Sequence, residues 1–365
     1  MKEKKIDRFF LIIVSLLIFI GVAMFISASL GVLAKNASTF YSTLFSQLVL
    51  GFGFGFLGMY LALKIDYKFW RKYSFYIFLG GILLTASVFV PSLGWSHLGA
   101  DRWLQLGPLR FQPVEILKFG FVIYFAAWLS WAKNKVQDFK FGILPLCVLL
   151  AIIAVILFHQ PDTKSFILIA LTGMCMLFIS GVSMKWIMLL VLGAALVLGS
   201  LVYFTPYLQD RVKTFIDPSQ DPQGSSYQIQ QALIAIGSGG VLGRGYGQSI
   251  QKFSYLPEPQ GDSIFAVVGE ELGFAGSAAI IILYLLFVIR GLRIANNSPD
   301  LFSRLLVSGI VILIVAQSFM NIASVTGVFP LTGVPLVFMS LGGTSLMIDL
   351  IALGIVFQIS KYNKL

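Results

Sequence analysis

Ten mostly apolar runs, each about as long as a bilayer is thick, constrain this chain more than any other feature of its sequence. A hydrocarbon core of about 30 Å takes roughly 20 helical residues to cross. With that ruler the runs fall at about 9–33, 45–64, 73–90, 112–132, 141–158, 165–181, 186–205, 263–290, 301–325 and 334–360. Composition agrees: of 365 residues, 58% are apolar or aromatic and 12% are charged, whereas soluble domains carry about a quarter charged residues. The expected fold is an all-α polytopic membrane protein of about ten transmembrane helices, a single transmembrane domain over 1–365 with one large extracytoplasmic loop between helices 7 and 8. The first run is too long for the core of a cleavable signal and reads as the first span.

The charges set the orientation. Lys and Arg number 26 against 16 Asp and Glu, but the basic residues lie scattered in ones to fours between apolar runs. That pattern is topological and not a phosphate-binding stripe, so nucleic acid is excluded as a partner. With the N-terminus inside, 17 basic residues fall on cytoplasmic segments and eight on outer ones, with Lys118 inside a run. The positive-inside bias therefore places both termini in the cytoplasm. The eight outer cations are Lys35, Arg102, Arg110, Lys164, Arg211, Lys213, Arg244 and Lys252. Cys147 and Cys175 each lie in an apolar run, with no metal-ligand spacing and no disulfide framework. His97 and His159 stand at separate span ends, where an interfacial histidine is the simpler reading than a metal ligand.

The segment 206–262 is out of proportion. Its 57 residues carry Tyr207, Phe215, Ile216, Tyr227, Tyr246, Phe253 and Tyr255, which is not a disordered composition. Within it Tyr227, Ala232, Leu233 and Ile236 recur at near-helical spacing, with Gln228, Gln230 and Gln231 between them. A short amphipathic helix on the outer membrane surface is expected there. Six glycines between Gly237 and Gly247 should follow it with a tight turn that exposes backbone.

Each ionisable side chain at membrane depth costs about 2.5 to 3.5 kcal/mol on insertion scales and is a functional candidate for that reason. Glu115 and Lys118 are three residues apart and share a helix face. They form either a self-neutralising packing pair or the lining of a polar cavity open to the outer leaflet, with Gln112 at its mouth. Glu270 is placed about 80° around its helix from Asp262, so it shares the cavity wall or is satisfied within the bundle. Asp162 and Lys164 read as a solvated pair or as part of the same surface, and Asp349 has no partner nearby in sequence. Asp262 stands at the outer end of span 8 beside the long glycine-rich segment. It is expected to cap that helix and to be held ionised by the dipole. A fixed carboxylate at a membrane surface near outer arginines is also what a general base for a lipid-linked substrate needs.

These residues also carry a resemblance. Gly261–Asp262–Ser263–Ile264–Phe265 through Gly269–Glu270–Glu271–Leu272–Gly273, preceded by Pro257–Glu258–Pro259, is similar to the loop-to-helix motif of the SEDS proteins (shape, elongation, division and sporulation). Asn321, Gly327, Pro330, Gly333, Ser340, Gly342, Gly343 and Ser345 resemble the C-terminal signature of that family. Ala100–Asp101–Arg102–Trp103, Phe111–Gln112–Pro113–Val114–Glu115, Gln160–Pro161–Asp162 and Gly224–Ser225–Ser226–Tyr227 also match, in the family's order. The chain departs from the pattern at Thr163–Lys164–Ser165, where Leu-Gly-Thr is usual, at Leu341, where Tyr is common, and at Ser263, where Phe is frequent. Arg211–Val212–Lys213 and Gly247–Gln248–Ser249 look more like the division branch than the elongation branch.

The resemblance implies a peptidoglycan glycosyltransferase of the bacterial cytoplasmic membrane that polymerises lipid II, the undecaprenyl-pyrophosphate-linked disaccharide pentapeptide. The essential aspartate of the family falls on Asp262 and its paired Glu and Lys fall on Glu115 and Lys118. Arg102, Gln112, Asp162, Arg211, Lys213, Gln231, Glu258 and Glu270 are the further substrate-binding candidates. No cofactor is specified, although a divalent cation, Mg or Mn, could assist the departing pyrophosphate. Implied partners are a class B penicillin-binding transpeptidase docked laterally on spans 8 and 9, other division or elongation proteins, and membrane lipids. A lipid II flippase and a noncatalytic scaffold of the division machinery remain the alternatives, and analysis of the glycan product separates them.

Overall fold

The computed structural model describes residues 5–35, 37–90, 94–97, 100–106, 109–217 and 225–362. Lys2, Lys4, Lys364 and Gly224 fall outside these residues, as do the side chains of Lys35, His97, Ala100, Asp101, Arg110, Tyr207 and Ser225. In chain order the helices are α1 (Arg8–Lys35), α2 (Ala37–Phe45), α3 (Phe54–Lys64), α4 (Tyr67–Ala86), α5 (Val114–Ala132), α6 (Ile143–His159) and α7 (Thr163–Ile179). They continue as α8 (Met184–Phe204), α9 (Pro206–Ile216), α10 (Ser225–Ser238), α11 (Gln251–Ser254), α12 (Ile264–Asn296), α13 (Leu301–Val325) and α14 (Gly343–Ser360). A wide π-helical stretch over Ser46–Gly53 joins α2 to α3 into one membrane-length segment.

Among the described residues eight helical segments are long and apolar enough to cross a membrane, and α6 and α7 add two apolar helices of 17 residues each. The ten runs of the sequence are thus all apolar helices, and the chain is a multi-pass, predominantly helical membrane protein. Asp7 donates its backbone N–H to Ser360 Oγ at 3.3 Å, so the two ends of the described chain meet at one end of the bundle. Lys252 lies toward the other end, where its Nζ donates to Ser27 Oγ in the C-terminal half of α1. Helices α5, α13 and α14 form the buried centre, whereas α8 buries none of its residues and packs on α7 and α9.

Three features depart from expectation. Strands β1 (Gly94–His97), β2 (Ala100–Leu106) and β3 (Leu109–Phe111) form a small antiparallel sheet that the all-α expectation did not include. The Gly107–Pro108 pair between β2 and β3 is a turn signal present in the sequence. The last helix begins at Gly343 and not near 334. Pro335 has no N–H to donate to a helix, and Phe338 at φ 69° breaks the turn, so the stretch before Gly343 runs irregularly. Its backbone is paired elsewhere: Gln47 donates to the Ser340 carbonyl at 3.0 Å and accepts from Gly342 N at 3.0 Å, and Ser340 Oγ accepts from Leu336 N at 2.8 Å. Non-helical backbone at membrane depth requires such pairing.

The third departure is a break in α12. Gly273 (φ 66°, ψ −164°) divides the helix about 13 Å from its start at 1.5 Å per residue. The glycine-rich loop after α10 fills the gap: Arg244 and Gly245 donate their N–H groups to the Glu270 and Glu271 carbonyls at 3.0 Å, and Phe274 N–H donates to the Gly240 carbonyl at 2.9 Å. The expected tight turn is therefore present, and its backbone pairs with the broken helix. Helix α10 forms where its periodicity placed it, but it buries Ile229, Ala232 and Ala235 and exposes Leu233. Small residues face inward because α10 lies directly against α12, close enough that a methyl group on Gly269 would crowd Ile236.

Candidate active site

Asp262 lies in the turn before α12, where α10, the start of α7 and the irregular stretch before α14 converge. It was expected to be the N-cap, but that position is Ser263. The turn begins at Glu258 (φ 46°), whose carbonyl accepts from Gly261 N at 2.9 Å and Ser263 N at 3.4 Å. Gln228 Nε2 donates to Asp262 Oδ1 at 3.0 Å and to Ser263 Oγ at 2.9 Å. Asn321 Nδ2 donates to the Asp262 and Val334 carbonyls, both at 2.7 Å, and so ties the turn to the irregular stretch. Gly333 (φ 64°) passes beside the carboxylate. A methyl group on it would lie 3.4 Å from Asp262 Oδ2 and 3.8 Å from Lys164 Nζ, so these two groups face each other across the glycine.

Two cations, Lys164 and Arg211, act on the carboxylate, and Arg102 acts on Lys164. Arg102 Nε donates to the Gln160 carbonyl at 3.0 Å and its Nη2 to the Pro161 carbonyl. Arg211 Nη1 donates to the Leu331 carbonyl at 2.6 Å, and Lys164 Nζ to the Gly333 carbonyl. The charges of Asp162, Arg102, Asp262 and Arg211 all act on Lys164. Asp162 caps α7, accepting from Ser165 N at 3.3 Å and Ser165 Oγ at 2.8 Å. Burial pushes the Asp262 carboxyl above the ordinary carboxylate range, against the pull of the Lys164 ammonium, the Gln228 amide and the Arg211 guanidinium.

A narrow polar cleft opens beside this cluster, lined by Gln112, Glu115, Lys118, Lys164, Gln317 and Val334 among others. Lys118 Nζ lies 2.8 Å from Glu115 Oε2 and donates to Gln317 Oε1 at 2.8 Å, and Ser345 Oγ donates to Glu115 at 3.0 Å. A second narrow cleft shares Glu115 and Lys118 with the first and is lined on its other side by Asp349. The pair read from sequence as either packing or lining is therefore both: buried, mutually neutralised and in a cavity wall. Asp349 has its partners on α5, which only the packing of α14 against that helix supplies.

Arg102, Asp162, Arg211 and Asp262 thus come together, and Gln112, Glu115 and Lys118 line the adjoining cleft. Glu270 does not join them. Its carboxylate is fully buried and accepts from Ser249 Oγ at 2.6 Å, Ile250 N at 3.0 Å and Gln251 N at 3.3 Å, so it holds the glycine-rich loop and not a cavity wall. Glu258 and Lys213 are exposed, and Gln231 is half-buried one turn along α10 from Gln228. Gln228, Gln317 and Asn321 are site residues that the sequence did not single out as such, and Lys164, paired there with Asp162, joins them. For Lys164 the signal was its departure from the family pattern. His159 bonds to the Val155 carbonyl of its own helix at 2.7 Å, and Cys147 and Cys175 are free. Among the described residues no group of three His, Cys, Asp or Glu side chains forms. The groups around Asp262 are mostly cationic, a donor set that does not fit a divalent ion.

Comparisons with known proteins identify the family and the fold. A family model described as cell cycle protein, covering FtsW, RodA and SpoVE, matches residues 7–365. A probable peptidoglycan glycosyltransferase FtsW of Geobacter sulfurreducens is 38% identical over 99% of this chain and 97% of its own. Stage V sporulation protein E of Bacillus subtilis is 35% identical over 100% of this chain and 99% of its own. Among solved structures, a chain from a peptidoglycan synthase complex that coordinates polymerization and crosslinking superposes with a TM-score of 0.81 at 26% identity, covering 97% of each chain. The rod shape determining protein RodA of Thermus thermophilus shares the fold, with a TM-score of 0.67 at 23% identity over 96% of this chain and 97% of its own. The chain belongs to the FtsW/RodA/SpoVE family of cell cycle proteins.

Proposed function

We propose that this chain is a peptidoglycan glycosyltransferase that polymerises lipid II at the extracytoplasmic face of the bacterial cytoplasmic membrane, with both termini in the cytoplasm and Asp262 as general base. The enzyme class is that named for its FtsW relatives. One observation supports the mechanism above others: a carboxylate held by the Gln228 amide faces Lys164 across Gly333 at the mouth of a polar cleft, with Arg211 also acting on it. Joining two lipid-anchored sugars requires a proton to leave a hydroxyl while a diphosphate leaves an anomeric carbon. Asp262 takes the proton of the acceptor GlcNAc 4-hydroxyl, its oxygen bonds to the donor MurNAc C1, and the C1–O bond to undecaprenyl pyrophosphate breaks with inversion. Positioning the base supplies about 10² to 10⁴ in rate, and orienting the two substrates supplies more.

Arg102 and Lys118, with Arg211 and Lys213 further out, stabilise the departing diphosphate. Gln112, Glu115 and Asp162 shape the cleft and its mouth, while Gln231, Glu258 and Glu270 act through the segments that carry them. A class B penicillin-binding transpeptidase docks laterally against α12 and α13, where it crosslinks the emerging strand. The names of the relatives favour division or sporulation over elongation as the process served.

The test is polymerisation of fluorescent lipid II by the purified chain, with and without its transpeptidase, for wild type and Asp262→Asn. Long glycan from wild type and none from a folded, lipid-binding variant is the expected result. Normal polymerisation by the variant removes Asp262 as base. Failure of wild type even with the partner favours the flippase or scaffold.

A further inference from the structure

Lys164 belongs to two groups of residues at once. Its ammonium faces Asp262 across Gly333, and its side chain also lines the cleft with Gln112, Glu115 and Lys118. The two lysines of that cleft differ in their surroundings. Lys118 is matched by Glu115 at 2.8 Å. Around Lys164 the carboxylates Asp162 and Asp262 face three cations, Lys164 itself, Arg102 and Arg211. The mouth of the cleft thus holds three cations against two carboxylates, one of which, Asp162, also caps α7.

An ammonium has three donors, and the Gly333 carbonyl takes one of them while fixing its position. Lys164 is also the second residue of the 17-residue α7, where the helix dipole adds positive potential. The ligand this arrangement fits carries several anionic oxygens, enters from the membrane and extends into the cleft.

We infer that Lys164 is a diphosphate-binding residue of this chain, its ammonium taking an oxygen of the lipid-linked diphosphate ester at the junction of the cleft and Asp262. The inference rests on the reading of the chain as a lipid II polymerase and adds a contact from a position where family members usually carry glycine. On departure, the diphosphate oxygen that loses its bond to C1 gains negative charge, and a cation already in contact stabilises it without moving.

The experiment measures binding and not turnover, which separates this inference from the reading beneath it. The full chain in lipid nanodiscs is titrated with undecaprenyl pyrophosphate, with undecaprenol, and with inorganic pyrophosphate as competitor. Wild type is compared with Lys164→Gln, Lys164→Ser and Lys164→Arg. Loss of one charge-assisted hydrogen bond should weaken undecaprenyl pyrophosphate about tenfold or more in both neutral variants. Undecaprenol binding should stay unchanged, and Lys164→Arg should keep most of the affinity. Inorganic pyrophosphate should compete in wild type and lose that ability in the neutral variants. Unchanged affinity in either folded neutral variant, or equal losses for undecaprenol, overturns the inference. A wild type that binds the diphosphate lipid yet makes no glycan with its transpeptidase refutes the polymerase reading alone.

Discussion

Lys252 reaches Glu271 at 2.6 Å, and neither side chain is open to solvent. The ammonium also donates to Ser27 Oγ and to the Gly247 carbonyl, each at 2.9 Å. One buried charge pair therefore fastens α1, the glycine-rich loop and the first half of α12. Removing one partner leaves the other buried and unpaired, at a cost of about 3 to 5 kcal/mol. Lys252→Met should lower the thermal unfolding temperature of the purified protein markedly, and adding Glu271→Gln should restore part of the loss. An unaltered melting curve for the single variant would show that the clasp does not hold the loop.

Gly273 allows the helix break that admits this loop. Its φ of 66° with ψ of −164° belongs to a region nearly confined to glycine, and an added methyl group would meet Gly243 N inside van der Waals contact. Backbone strain of about 1 to 3 kcal/mol is expected before the clash is counted. Gly273→Ala should reduce stability and increase proteolysis of the 239–250 segment. Gly80 is a control, because a methyl group there meets nothing. Equal protease sensitivity of the two alanine variants would count against the account.

Glu115 and Lys118 neutralise each other in a wall where both are nearly closed to solvent. Glu115→Gln and Lys118→Met should each destabilise by about 3 to 5 kcal/mol, and the double variant should destabilise by less than their sum because no charge is stranded. Strictly additive unfolding free energies would show that the pair is not coupled. Polymerisation should stay impaired in the double variant if Lys118 also serves the diphosphate.

The pH dependence of polymerisation follows from Asp262. A base works when ionised, so the rate rises as pH climbs through its pKa. Burial holds that pKa above the ordinary carboxylate value of about 4, so the acid limb of kcat/KM should lie above pH 4. The groups that oppose burial are Lys164, Arg211 and the neutral amide of Gln228. Lys164→Gln should move the acid limb to higher pH, and Lys164→Arg should leave it near wild type. A limb that stays put in Lys164→Gln would mean that the ammonium does not act on the carboxylate.

Much of this was legible without coordinates, because an apolar run of membrane length carries its own helix signal. Nine of the ten runs, the helix within 226–236 and the glycine turn after it lie close to where length, periodicity and composition placed them. The sheet was missed, although Gly107 and Pro108 announce a turn, since a chain dominated by spans invites the reading that everything between spans is loop. The late start of α14 was missed because apolar content continues through 334–342 while Pro335 and the φ of Phe338 exclude a helix there.

The choice among polar residues was a different matter. By itself the sequence determined that the chain crosses a membrane about ten times, and it singled out Asp262, Glu115 and Lys118, because charge within apolar sequence is conspicuous. Only the tertiary structure decided that Glu270 holds a loop, that Asp349 lies beside α5, and that Gln228 on α10 and Lys164 on α7 both face Asp262. Periodicity records which side of one helix is apolar, whereas these relationships depend on how helices distant in the chain are turned toward one another. That rotation is set by packing of small residues such as Gly269 and Ala232, which carries no period a single helix can display.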